Sequence, residues 1–267
     1  MFKRDWINIV IGVAFAALAS TVSGANAAPC GRSAAGFDAW KSAFADEARA
    51  KGIGAAGIAA LMATHYNTAT IWADRGMKSF HLSLPAFMAK RGASVIAARG
   101  RKLKQSNAAL FASIESRYGV PPGPLIAIWG METAFGHEHG NQQALSAVAT
   151  LAYDCRRPAF FTDQLYAALK LVDAGRLSAE TRGSMHGEIG QTQFLPKTML
   201  DYGVGNLDTA SGALASTANY LKAHGWQRGA GYQPGEPNFA AIEAWNAASV
   251  YEKTIAIVGK QIDGGAQ

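Results

Sequence analysis

The sequence predicts a mainly α-helical protein with at most a small β element, and three observations carry that expectation. Apolar residues recur at intervals of three and four through most of the chain; the alternation that marks half-buried strands is scarce; and the segments that resist a helical reading are confined to two glycine-rich stretches. Hydrophobic residues make up 49% of the chain, enough for a sizeable core, which sets disorder aside.

The first 27 residues read as a secretory signal peptide. Lys3 and Arg4 open it, the run from Ile7 to Leu18 is apolar apart from Asn8 and two small residues, and Ala25-Asn26-Ala27 supplies a small-residue cleavage site. That run falls short of the roughly 20 residues that span a bilayer, so no stable membrane insertion is expected after cleavage. The remainder, residues 28–267, contains both cysteines, Cys30 and Cys155. An oxidising compartment and an even count make a disulfide between them the expected arrangement.

The helices follow in order. Phe37, Trp40 and Phe44 share one face, as do Ile58, Leu61 and Met62. The basic stretch Arg99-Gly-Arg-Lys-Leu-Lys104 reads as a solvated helix face. Leu110, Phe111, Ile114 and Tyr118 mark a helix starting at Asn107. Leu145, Val148, Leu151 and Ala152 form another stripe, and Phe161, Leu165, Ala168 and Val172 a further one that ends near Gly175. Leu214, Ala218 and Leu221 mark a helix starting near Ser211, and Tyr251, Ile255, Val258 and Ile262 close the chain. Gly183 to Gln193 and Gly225 to Pro237 are loops by composition. A formal charge of +6 is compatible with an anionic polymer as partner, but the basic residues are dispersed and not interleaved with aromatics, so no nucleic acid is expected.

One carboxylate stands out. Glu132 is embedded in Pro121-Pro-Gly-Pro-Leu-Ile-Ala-Ile-Trp-Gly-Met-Glu-Thr-Ala-Phe-Gly136, where Pro121 and Pro122 suit a helix start and Gly136 its exit. Leu125, Ile128, Glu132 and Phe135 fall on one stripe, which points the acid inward. Desolvation and the negative end of the helix dipole both favour its protonated form, as a proton donor at neutral pH requires. A buried structural Glu paired to a cation is the competing reading.

Four stretches then agree in order with one family. Ala127-Ile-Trp-Gly-Met-Glu-Thr-Ala-Phe-Gly136, Ala149-Thr-Leu-Ala-Tyr-Asp154 with Arg156, Arg157, Phe160 and Phe161, Arg182-Gly-Ser through Gly190-Gln-Thr-Gln-Phe-Leu-Pro196, and Ala213-Leu-Ala-Ser-Thr-Ala-Asn-Tyr-Leu-Lys-Ala-His-Gly-Trp226 resemble the B-type lytic murein transglycosylases, soluble or membrane-bound. The resemblance runs from about Phe37 to Gly259. It implies a lysozyme-like helical catalytic domain with additional N-terminal helices, residues 28–105 forming the N-terminal helical part and 106–267 the catalytic core and cleft. It also implies a periplasmic enzyme, expected to act as a monomer on peptidoglycan glycan strands, that cleaves the MurNAc-β-1,4-GlcNAc bond and leaves a 1,6-anhydro ring. Glu132 would be the sole catalytic acid and base; Ser184, Gln193, Asn246 and Tyr251 match substrate-binding positions of the cleft. Tyr251 would add a face for stacking on a sugar, and loop capping or an ordinary place at the core edge is the alternative for all four. A lysozyme-like muramidase and a non-catalytic peptidoglycan-binding scaffold are the competing functions.

No second acid shares an evident stripe with Glu132: Glu138 lies beyond the helix end, and Asp154 and Glu188 lie elsewhere. Glu188, where relatives often carry an apolar residue, has no assigned role. Many members also carry an Asp-rich calcium loop after the Gln-Phe-Leu-Pro block, but Asp201 and Asp208 alone do not make that ligand set. His137-Glu-His139 lacks a third ligand, so neither a metal nor any cofactor is expected.

Overall fold

The computed structural model describes residues 29–76 and 81–264, so the expected signal peptide, 1–27, lies outside the described residues. Within them, thirteen α-helices surround one two-stranded sheet, as the periodicities predict. The first is α1 (Phe37–Ala50), whose stripe Phe37, Trp40 and Phe44 is buried. Helix α2 (Ala55–Met62) buries Ile58 and Leu61 but leaves Met62 exposed at its last residue, where the Met62 carbonyl accepts from Lys41 Nζ. Next come α3 (Thr68–Gly76), α4 (Leu84–Lys90), α5 (Ala93–Ser106) and α6 (Ala108–Tyr118). Arg99, Arg101 and Lys102 are exposed on α5. Asn107 separates α5 from α6, but its side chain turns back to the Leu103 carbonyl instead of capping α6.

The central helix is α7 (Pro122–Thr133), which starts with Pro122 and Pro124 in its first turn, where proline's missing amide hydrogen costs nothing. It ends three residues before Gly136, because Ala134, Phe135 and Gly136 all take positive φ, at 50°, 64° and 82°. Eleven of its twelve residues are buried, and Glu132 is the exception. The chain continues through β1 (Gln142–Gln143), α8 (Ala144–Tyr153), α9 (Pro158–Asp173), β2 (Arg182–Gly183), α10 (Pro196–Tyr202), α11 (Ala210–Ala223), α12 (Phe239–Trp245) and α13 (Ser249–Asp263). The strands pair antiparallel, Gln142 opposite Gly183 and Gln143 opposite Arg182. A Cβ on Gly123 would come within 2.3 Å of the Gly259 carbonyl oxygen, so α7 and α13 cross in near backbone contact that only glycine permits.

The apolar side chains form two cores. One unites α4–α7 with α11–α13, through residues such as Phe87, Phe111, Leu125, Ile128, Leu214 and Ile255. The other unites α1–α3 with α8–α10, through Trp40, Leu61, Leu145, Leu165, Phe194 and Met199. The chain therefore passes between cores three times, and Tyr220 and Trp245 pack against both. Cys30 and Cys155 form the expected disulfide, beside a backbone hydrogen bond from Gly31 N to Tyr153 O (2.9 Å).

Candidate active site

A cavity of about 140 Å³ opens between the two cores. Glu132 from α7 lies in it together with Glu188, Gln193, Phe194 and Leu195 from the β2–α10 loop, Thr198 of α10, Tyr220 of α11, and Trp245 and Asn246 at the end of α12. The α7 residues around Glu132 do structural work. Trp129 Nε1 donates to Gln191 Oε1 (2.9 Å), Thr133 Oγ1 donates to the Gln191 carbonyl (2.6 Å), and Gln191 Nε2 reaches the Asp208 carbonyl (2.7 Å). The helix of one core is thereby fastened to the loop of the other, which fixes the acid relative to the opposite wall.

Both hydrogen bonds on the Glu132 carboxyl fall on Oε1: the Tyr251 hydroxyl donates to it, and Trp245 Nε1 donates from 3.3 Å. Burial pushes this carboxyl up to about 7. The Tyr251 hydrogen bond pulls it back, the charge of Glu188 pushes it further up, and Trp245 and Arg91 pull it down. Burial, and then the Glu132 charge, raise the Tyr251 hydroxyl well above its ordinary value, so the tyrosine remains a donor. A carboxyl balanced near neutrality can give up a proton and take it back within one turnover.

The residues expected around Glu132 divide into three cases. Gln193 and Asn246 do line the cavity. Gln193 takes a positive φ of 55° and donates through Nε2 to the Gly190 carbonyl (2.8 Å), while Asn246 Oδ1 accepts the Ala248 amide (3.0 Å). Tyr251 is brought to the acid but does not present the stacking face expected of it: it is 2% exposed, its ring packs against Phe87, and its hydroxyl donates to Glu132. Ser184 lies outside the set that lines the cavity. Its hydroxyl accepts the amides of His186 and Glu188 (both 3.1 Å) and donates to Glu188 Oε2 (2.7 Å), which is a loop-capping arrangement.

Glu188 and Trp245 were not singled out from sequence as site residues. The Ser184-x-x-x-Glu188 spacing between glycines is the one sequence signal that ties the second acid to the cleft. No group of three or more His, Cys, Asp or Glu able to hold a metal ion occurs among the described residues. His137 Nε2 contacts Arg99 Nη2 (2.7 Å), and Asp201 pairs with Lys197 (2.7 Å).

The chain matches the transglycosylase SLT domain family over residues 36–235. It belongs to that family. A relative, the membrane-bound lytic murein transglycosylase B of Escherichia coli strain K12, is 36% identical over 137 residues, 45% of this chain and 38% of that protein, so the match spans well under half of the relative. Among solved structures, SltB3 of Pseudomonas aeruginosa in complex with NAG-anhNAM-pentapeptide superposes with a TM-score of 0.78 at 28% identity, covering 86% of this chain and 80% of the other. Lytic transglycosylase Slt35 of Escherichia coli in complex with calcium superposes with a TM-score of 0.72 at 21% identity, covering 84% and 92%. The mainly α, lysozyme-like domain implied by the sequence blocks is therefore the fold the helices adopt.

Proposed function

We propose that this protein is a peptidoglycan lytic transglycosylase that cleaves the MurNAc-β-1,4-GlcNAc bond with Glu132 as its acid and base. The observation that carries the reading is a single protonatable carboxyl on an otherwise buried helix, opening into a polar cleft. Protonated Glu132 donates to the glycosidic oxygen as the C1–O bond breaks. As carboxylate it then takes the proton of the sugar's own C6 hydroxyl while that oxygen bonds to C1, closing a 1,6-anhydro ring without consuming water. Tyr251 and Trp245 hold Oε1 throughout, and Gln193 and Asn246 offer donors and acceptors to hydroxyl and acetamido groups. Ser184 serves the cleft through Glu188.

The chain is exported by residues 1–27 and works in the periplasm, where the Cys30–Cys155 disulfide is stable. No helix among the described residues is long and apolar enough to cross a membrane. It acts as a monomer, with residues 106–267 carrying the catalytic residues and no cofactor. One observation favours a second reading, hydrolysis by a muramidase: Glu188 brings a second carboxylate into the cavity. Glu132→Gln is expected to lower release of soluble fragments from purified peptidoglycan by about 100-fold or more, because general acid–base catalysis is lost. Retained release would reject Glu132 as the acid under either reading.

A further inference from the structure

Glu188 is unusually well fixed for an acid in a loop. The Ser184 amide donates to the Glu188 carbonyl (2.9 Å), the Gly187 amide to the Ser184 carbonyl (3.1 Å), and the Ser184 hydroxyl to Glu188 Oε2 (2.7 Å). A Cβ on Gly183 would stand 2.3 Å from the Glu188 carbonyl oxygen, so this closed turn requires glycine at its start. Beyond the turn, Ile189 and Phe194 exchange backbone hydrogen bonds (2.8 and 2.9 Å), which bind the segment into its own core. The result is a carboxylate half-buried in one wall of the same small cavity that holds Glu132 in the other. Glu188 Oε2 is occupied by Ser184, and Glu188 Oε1 has no hydrogen-bond partner among the described residues. A negative charge on Glu188 in the small cavity it shares with Glu132 disfavours negative charge on Glu132.

We propose that Glu188 is a positioning residue for the Glu132 proton: its carboxylate, pinned by Ser184 in the opposite wall of the cleft, repels negative charge on Glu132 and so keeps that acid loaded before each bond cleavage. The two acids are held differently: Glu132 projects from a helix whose other residues are all buried, whereas Glu188 sits in a loop with the Ser184 hydroxyl donating to it. Three charged or titratable groups act on it: Arg91 at the end of α4, Tyr251 on α13 and Glu188 in the loop. Arg91 and the Tyr251 hydrogen bond favour the carboxylate, and Glu188 opposes both.

The proposal rests on the reading of Glu132 as the acid, and its test separates the two. kcat/KM on soluble peptidoglycan fragments is measured from about pH 4 to about pH 9 for wild type, Glu188→Gln and Glu132→Gln, since this ratio reports the ionisations of the free enzyme. The amide introduced by Glu188→Gln retains an oxygen that can accept from Ser184, so the turn keeps its shape while the charge is lost. The alkaline limb of Glu188→Gln is expected to move to lower pH, with the rate at alkaline pH relative to acid pH falling about threefold or more. Should Glu188→Gln fail to fold, Glu188→Ala carries the same expectation. An alkaline limb that stays at its wild-type position, whatever happens to the maximal rate, overturns the proposal. Activity retained in Glu132→Gln overturns instead the assignment of the acid, independently of where the Glu188→Gln limb lies.

Discussion

The two cores give the cleft different things. The core of α4–α7 and α11–α13 supplies the Glu132 carboxyl from a helix whose other residues are all buried, where burial raises the acid's affinity for its proton. The core of α1–α3 and α8–α10 supplies a polar loop, and its own interior is more polar. Lys41 is buried against the Met62 and Thr64 carbonyls, and Asp74 is buried between Arg156 and Arg157, with His186 Nε2 4.0 Å away. Arg75 also binds the buried Asp154 (2.8 Å), next to the disulfide. Tight apolar packing raises the proton affinity of Glu132, whereas a covalent and ionic frame holds the core that carries the polar loop. Placing the cleft where the cores meet lets each be optimised separately, with Gln191 as the tie between them.

This contrast can be broken from either side. Replacing Cys30 and Cys155 by serine frees a closed loop with a sequence separation of 125 and is expected to cost about 3–5 kcal/mol by denaturant unfolding. Amide exchange should then rise first in α1–α3 and α8–α10; uniform acceleration across both cores would contradict separate frames. Gly123→Ala tests the other side, because the added methyl meets the Gly259 carbonyl. A loss of about 2–3 kcal/mol is expected, with exchange rising in α7 and α13. Asp74→Asn leaves Arg156 and Arg157, both nearly half exposed, without their buried partner, and is expected to cost about 1–2 kcal/mol. Its effect belongs to the loop-bearing core and should leave the pH profile of the acid unmoved.

The smallest expected effect concerns Glu132 itself. Its carboxyl titrates near 7 in the folded protein against an ordinary value of 4.5, so folding favours the protonated form. Its contribution to stability is full below about pH 4.5, declines between there and about pH 7, and is absent above. Glu132→Gln should therefore match wild type at pH 4 and exceed it at pH 8 by on the order of 1–2 kcal/mol in thermal or urea unfolding. Equal stability at both pH values would mean that the cavity hydrates the acid fully.

Most of the scaffold was legible because it rests on local rules. Proline in the first turn announced α7, and stripes such as Phe37-Trp40-Phe44 and Tyr251-Ile255-Val258-Ile262 announced the helices that bury them. The exit of α7 was not legible, since the positive φ values at Ala134 and Phe135 contradict those residues' own preferences; Gly136 lies there against Gln191, and the Phe135 ring against Gly130. The inward stripe on α7 accounts for only part of what surrounds Glu132: the helix is buried all round, and Glu132 is the position where that burial opens. Tyr251 and Ser184 were expected in the cleft from their sequence blocks, but neither lines the cavity, and their contacts, one to Glu132 and one to Glu188, join residues 119 and four positions away. Glu188 looked isolated because it comes to share a cavity with Glu132 only through the folding of the chain.

The central claim is that Glu132 drives an intramolecular ring closure even though a second carboxylate faces it. Mass spectrometry of the fragments released from purified peptidoglycan by the wild-type protein tests it directly. The account predicts muropeptides that end in 1,6-anhydro-MurNAc, one water lighter than the reducing-end forms, and none released by Glu132→Gln. Reducing-end MurNAc as the sole wild-type product would contradict it and make Glu188 the base of a hydrolase.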